Sequence, residues 1–250
     1  MTILSVNLNK VAVVRNARAG HIPSMVEAAE HCLEAGAGGI TVHPRPDQRH
    51  ARPADVHELA ALIRDRPGAE LNVEGNPFPE FLELVRATKP AQCTLVPDAI
   101  GALTSDHGWN LAVDGARLRP VIRKLQDLGI RVSVFLEPDA SRVEEARAIG
   151  ADRIELYTEP YARAFGTDQE IGVMRGFAIA AQRAQEIGLG VNAGHDLNLD
   201  NLEHFCVGVP GLHEVSIGHA LIAYALEVGL QPAVREYRKV LSGCERTHGV

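Results

Sequence analysis

Aromatic side chains are scarce in this 250-residue chain, at 4% of the total with a single tryptophan. That speaks against an aromatic-lined groove as the main recognition surface. Lysine is rarer than arginine by a wide margin: only Lys10, Lys89, Lys124 and Lys239 occur, and they form no cluster. With a formal net charge of −7, the chain lacks the basic face that a nucleic-acid binder carries. A local basic pocket for an anionic small molecule stays open. The arginine excess suits bidentate recognition of phosphate or carboxylate, and it suits a GC-rich genome equally well.

Paired cysteines are missing too. Cys32, Cys93, Cys206 and Cys244 are widely spaced, with no CxxC and no Cys–His ligand spacing, so neither a zinc site nor a disulfide framework is expected. The N-terminus, MTILSVNLNK, has no basic segment leading into a long apolar one. No run approaches the roughly 18 apolar residues of a membrane span. The expectation is a soluble cytoplasmic protein with no membrane or nucleic-acid partner.

What the chain does have is a repeated short apolar run. Eight are readable: 4–8, 39–43, 70–74, 93–97, 131–137, 153–157, 189–194 and 213–218. Most are rich in Val, Ile and Leu, as strands buried on both faces should be. Helix-length amphipathic segments separate most of them. Ser24 caps one that ends in the glycines at 35–39, Asp55 opens a second, and Pro77 or Pro79 opens a third. Others run over 114–128, from Asp139 or Ser141 to Gly150, and over 168–187. A short segment near 199–205 precedes the last strand, and helices at 219–228 and 231–242 follow it. Strand and helix alternate without a break in composition, which predicts one domain over 1–250. The expected fold is α/β, a single (β/α)8 barrel with extra helices. An open doubly wound sheet is the weaker reading, since no GxGxxG follows the first strand.

In such a barrel function gathers at the C-terminal ends of the strands. Those ends supply Asn7 and Asn9, His43 and Arg45, Glu74, Thr104 in the loop after strand 4, Glu137, Glu155, His195 with Asp196, and Gly218 with His219. His43 alone could be a strand-end histidine bonded to backbone, and Glu74 a surface carboxylate or an arginine's partner. Glu155 sits between Ile154 and Leu156 and so points into the barrel, where a carboxylate must be paired or neutral. Histidines beside carboxylates in a low-dielectric mouth suit proton shuttling. Arg45 and His50 suit an anion. GVNAGH and SIGHA, with glycines at 194 and 218, fall at strands 7 and 8, where barrels often hold phosphate on backbone N–H groups. A phosphorylated small-molecule substrate is expected. A Schiff-base lysine would have to be Lys10, which reads better as a phosphate contact or surface charge. Metal-dependent hydrolysis could draw on the same His and carboxylate set, but strand 1 reads VNLN, without the two-histidine motif common in such barrels.

Six segments in order, VNLNKVAVVRNAR at 6–18, ITVHPRPDQRH at 40–50, LNVEG at 71–75, TKPAQCTLVP at 88–97, VNAGHDL at 191–197 and SIGHA at 216–220, resemble the pyridoxine 5′-phosphate synthase family over nearly the whole chain. The resemblance implies a (β/α)8 barrel with extra helices, assembled as a homo-octamer, with no metal and no organic cofactor. It implies condensation of 3-amino-2-oxopropyl phosphate with 1-deoxy-D-xylulose 5-phosphate. By motif, His43 and Glu74 are implied as proton acceptors, His195 as proton donor and Glu155 as a transition-state stabiliser. Asn7 and Arg18 are implied contacts of the amino-ketone phosphate. Arg45, His50 and Thr104 would bind the deoxyxylulose phosphate, and Gly218 with His219 a phosphate. The chain departs from the usual pattern at Asn9-Lys10, where many relatives read Asp-His in contact with the deoxyxylulose phosphate. It also departs at Asp196, often Gly. A non-catalytic phosphate-binding barrel is the reading from a different class; a binder alone has no need of His43, Glu74 and His195 together.

Overall fold

The computed structural model describes residues 2–101 and 105–248, with side chains described through Cys244. Its first half comprises β1 (Ile3–Asn7), α1 (Asn9–Asn16), α2 (Met25–Glu34), β2 (Gly39–Val42), α3 (Pro53–Arg64), β3 (Glu70–Gly75), α4 (Pro79–Thr88) and β4 (Gln92–Leu95). Then come α5 (Leu111–Gln126), β5 (Arg131–Leu136), α6 (Ala140–Ile149), β6 (Arg153–Leu156), α7 (Glu159–Ala164), α8 (Glu170–Glu186) and β7 (Gly190–Ala193). The chain closes with α9 (Leu202–Gly208), β8 (Leu212–Ile217), α10 (His219–Val228) and α11 (Leu230–His248). The strands pair in sequence order, all parallel, and β8 pairs with β1 to close the barrel. This is the expected (β/α)8 architecture.

Two helices were not legible. The stretch forming α1 holds Val11, Val13 and Val14, β-branched residues that favour strands, and no side chain caps its start. Burial overrides propensity here: Val11, Ala12 and Arg15 face inward. The buried Arg15 guanidinium forms a two-pronged ion pair with buried Asp55, at 2.5 and 2.8 Å, and Asp55 also accepts the Arg52 N–H ahead of α3 at 2.6 Å. The other, α7, is a six-residue turn anchored by Tyr161, whose hydroxyl donates to the Asn201 carbonyl at 2.8 Å.

The strands are buried on both faces, as expected, but the two faces differ in kind. Val6, Ile40, Val42, Leu71, Val73, Leu95, Val134, Ile154 and Val215 lie fully or almost fully buried among the helices. The alternating positions carry Ser5, Thr41, Asn72, Thr94, Ser133, Glu155, Asn192 and Ser216, each at most 5% exposed. Barrel interiors are usually filled by Val, Ile and Leu; this one is polar. A side-chain chain runs around it: Ser5 Oγ to Thr41 Oγ1 at 2.7 Å, Thr94 Oγ1 to Asn72 Oδ1 at 3.0 Å, and Thr94 onward to Glu155 at 3.5 Å. Nearer the N-terminal ends of the strands, Arg131 pairs with Glu70 and donates to Gln92 at 2.9 Å. Beside them Arg153 donates to Asn192 at 3.1 Å and to Glu214 at 3.4 Å. These pairs satisfy polar groups that would be costly alone.

Candidate active site

His43 follows β2 directly, and its backbone N–H donates to Asn9 Oδ1 at 2.8 Å. Asn9 in turn is placed by its own N–H, which donates to Asn7 Oδ1 at 3.0 Å. The ends of β1 and β2 are thereby tied by two asparagines. The buried His43 ring is held well below the ordinary histidine range by desolvation and then by Arg45 and His50. It is therefore biased toward the neutral form near pH 7.

Glu74, buried on β3, receives a bond from Asn7 Nδ2 at 3.4 Å. Burial raises its carboxyl to about 7; His195 pulls downward and Asp98 adds to the rise. Glu155 on β6 is pushed well above the carboxylate range by burial and then by the charges of Glu74 and Glu214. On the far side of the mouth, His195 is exposed at the end of β7, and its Nδ1 donates to Asp196 at 2.8 Å. Desolvation works against the charged ring, but the Asp196 bond and charge outweigh it and raise His195 above the usual value. One mouth thus holds a histidine biased toward the neutral form, a carboxyl poised near neutrality and a histidine biased toward the charged form.

Arg45 is buried after β2 and forms an ion pair with Asp98, which follows β4. Ser105 Oγ also donates to Asp98, at 2.8 Å. His43, Arg45 and Asp98 line a cavity of about 540 Å³ that Phe78, Phe81 and Leu84 also line. His50 stands edge-on to His43 with ring centroids 6.3 Å apart. Burial, Arg45 and Arg49 lower His50 to about 4. The loop carrying it is held from α1, where Asn16 Nδ2 donates to the carbonyls of Gln48, Arg49 and His50 at 3.1, 3.0 and 2.9 Å.

The remaining expected residues are less uniformly placed. Lys10, half-buried in the first turn of α1, is near enough for its charge to lower His50. Arg18 is exposed in the turn after α1. Thr104 lies outside the described residues. Asp196 directs its side chain to His195, while its backbone N–H donates to Thr158 Oγ1 at 3.1 Å. Gly218 precedes α10 and exposed His219 begins it, so the α10 N-terminus faces the mouth from β8. The glycines at 194 and 218 have a packing cause: a Cβ on Gly194 would stand 1.9 Å from the Ser216 carbonyl oxygen, and one on Gly218 would stand 3.1 Å from Asn7 Cβ. Glu137, also at a strand end, pairs with Arg142 at 2.8 Å and accepts the Gly108 N–H at 3.0 Å, as a loop anchor.

Sequence reasoning missed Asp98 and Glu214. Asp98 stands three residues past β4 in LVPDAIG, and reading that strand end for its nearest acid would have found it. Glu214 was hidden in the histidine–valine context of HEVSIG, although its alternation with Ser216 marks the inward face. Among the described residues, no group of three or more His, Cys, Asp or Glu side chains is arranged to hold a metal ion.

The family model described as "Pyridoxal phosphate biosynthesis protein PdxJ" matches residues 4–243. The chain belongs to the PdxJ family. Within the PdxJ family, a pyridoxine 5′-phosphate synthase of Xanthomonas campestris pv. campestris (strain B100) is 55% identical over 97% of both chains. One of Albidiferax ferrireducens is 54% identical over 96% of this chain and 98% of its own. Among solved structures, the PdxJ fold resembles a 3-hexulose-6-phosphate synthase, with TM-score 0.64 and 13% identity over 96% of this chain and 99% of that one. It also resembles the phosphoribosyl anthranilate isomerase of Thermotoga maritima, with TM-score 0.62 and 13% identity over 97% and 100%. At such identities these two share the barrel only.

Proposed function

We propose that this chain is a pyridoxine 5′-phosphate synthase. It condenses 3-amino-2-oxopropyl phosphate with 1-deoxy-D-xylulose 5-phosphate and closes the ring, releasing phosphate and water. The observation that carries this reading beyond family membership is the set of opposed proton affinities in one mouth: His43 lowered, Glu74 raised to about 7, and His195 raised. A condensation in which the substrate's own amine attacks a ketone needs no enzyme lysine. It needs repeated proton removal and return, each positioned acid or base contributing about 10²–10⁴-fold.

In this scheme neutral His43 and ionised Glu74 take protons, and charged His195 returns one. Glu155 stabilises the transition state from the barrel interior. Arg45 and His50 hold the deoxyxylulose phosphate, with Thr104 and Lys10 beside them. His50 Nδ1 is buried without a hydrogen-bond partner among the described residues, a position that a ligand oxygen would complete. Asn7 and Arg18 contact the amino-ketone phosphate, and the α10 N-terminus at Gly218 and His219 receives a phosphate on its backbone N–H groups. Asn9 and Asp196 act through His43 and His195, the first by its backbone bond and the second by holding the ring. No metal or organic cofactor takes part in the scheme.

The working form is a homo-oligomer, an octamer by family resemblance; Val14 on α1 and Ile22 in the turn after it, both exposed, give apolar surface for a partner copy. Four buried thiols fit a cytoplasmic enzyme kept in reducing surroundings. Incubating the purified protein with both phosphates tests the activity. The expected result is a pyridoxine 5′-phosphate absorbance signal with equimolar phosphate release, and neither signal without both substrates.

A further inference from the structure

Asp98 is a buried carboxylate that the scheme above leaves unused. It is 5% exposed and meets three groups through one oxygen. Arg45 Nη2 forms its ion pair with Asp98 Oδ2, Ser105 Oγ donates to the same oxygen at 2.8 Å, and His43 Nδ1 lies 4.0 Å away. The backbone of Asp98 is fixed as well, since Asn76 Nδ2 donates to its carbonyl at 3.1 Å. Asn76 follows β3 immediately after Glu74 and Gly75, so the carboxylate is braced from β3 while it reaches toward β2.

Two roles fit a carboxylate on a substrate-binding arginine. It could be a placeholder that leaves when the substrate anion arrives, or a fixed brace that aims the guanidinium. The Asn76 bond holds the Asp98 backbone in place, and swinging the buried carboxylate away would break its bond from Ser105 and its ion pair with Arg45. Leaving Arg45 behind would strand a buried cation, which is strongly destabilising. A guanidinium carries five N–H donors in a planar fork, so it can keep a carboxylate on one nitrogen while presenting others to a phosphate.

We propose that Asp98 is a positioning residue for 1-deoxy-D-xylulose 5-phosphate: it fixes the plane of the Arg45 guanidinium toward the phosphate and stays in place through the reaction. The inference rests on the reading of Arg45 as that phosphate's anchor. It assigns Asp98 no contact with the reacting atoms. Its charge is felt at Glu74 together with those of His195 after β7, Arg45 after β2 and Glu214 on β8, with Glu155 facing it from β6.

Asp98→Asn keeps the shape and removes the charge. The expected result is a KM for the deoxyxylulose phosphate raised at least about tenfold. The KM for the amino-ketone phosphate and kcat stay within about threefold. The acid limb of kcat/KM moves to lower pH, because one of the charges holding Glu74 up has gone; a merely structural role would instead disturb kcat and both KM values together. Asp98→Glu keeps the charge and lengthens the arm, so it raises the same KM while the limb stays at the wild-type pH. If Asp98→Asn does not fold, Asp98→Glu decides the matter alone by that KM. A wild-type or lower KM for the deoxyxylulose phosphate in the folded variants overturns the brace. Arg45→Gln separates the two levels: if it raises this KM and the Asp98 variants do not, only the role of Asp98 falls. If Arg45→Gln leaves KM unchanged, the assignment of Arg45 fails as well.

Discussion

Glu74 shows how burial moves an ordinary carboxylate into the range where it could exchange protons near neutral pH. As the base of the proposed scheme it must be ionised, so kcat/KM should rise with pH through about 7, where burial has moved it from 4.5. Glu74→Gln keeps the shape and the Asn7 neighbour but cannot take a proton; we expect turnover at least about tenfold lower with substrate KM nearly unchanged, read from steady-state kinetics. The same burial has a cost in stability. Between 4.5 and about 7 the folded carboxyl keeps a proton that the unfolded chain has already lost, so stability falls as pH rises through that window. Above it the full cost is on the order of 3 kcal/mol. Glu74→Gln should therefore melt higher than wild type at pH 8, with the advantage fading as the pH is lowered toward 4.5. Melting curves of both proteins across that range check it. Residues at this scale were legible where a polar side chain ends an apolar run, as with His43, Glu74 and His195. Asp98 was not, because what marks it is its ion pair with Arg45, a partner 53 residues away. Asn9 gains a meaning that spelling alone withheld: the His43 N–H needs an acceptor oxygen there, which Asn and Asp both provide.

At the scale of elements, α1 does work that no pattern announced. It starts two residues after β1 ends, and from its far end Asn16 gathers three successive carbonyls of the loop that carries His50. Asn16→Ala releases that loop without touching the mouth. The expected effect is a KM for the deoxyxylulose phosphate raised about tenfold, equivalent to ~1.4 kcal/mol, with kcat at saturation nearly unchanged. An unaltered KM would show that the loop holds its shape without the clamp. Strand positions were readable because each is a short Val, Ile and Leu run between helical segments. Helix starts were less so: α5 begins at Leu111 rather than Asp114, and α9 at Leu202. In both, packing decides the first turn, since Leu111 and Leu202 are buried and neither start has a side-chain cap.

The molecule as a whole is a ring of strands sealed at its last join by the C-terminal helix. Helix α11 packs on α9, α10 and α2 and brings Val234, Tyr237 and Leu241 into the core. Tyr237 is 1% exposed, and Tyr237→Ala should cost about 3–5 kcal/mol, as large aromatic truncations do. Urea denaturation would register this as a lower midpoint with an unchanged slope. The closed ring was readable from eight short runs alternating with helical segments, whereas its polar lining was not, because a run such as RIELY looks aliphatic until its alternate residues are assigned to faces. That lining also guards the register of the sheet. A strand that slipped by one residue would turn Ser, Thr, Asn or Glu toward the helices and Val or Ile into the hydrogen-bonded interior. An all-aliphatic barrel would feel such a slip weakly; here both faces resist it at once. The protein's two-toned strands act as a proofreading code for its own assembly.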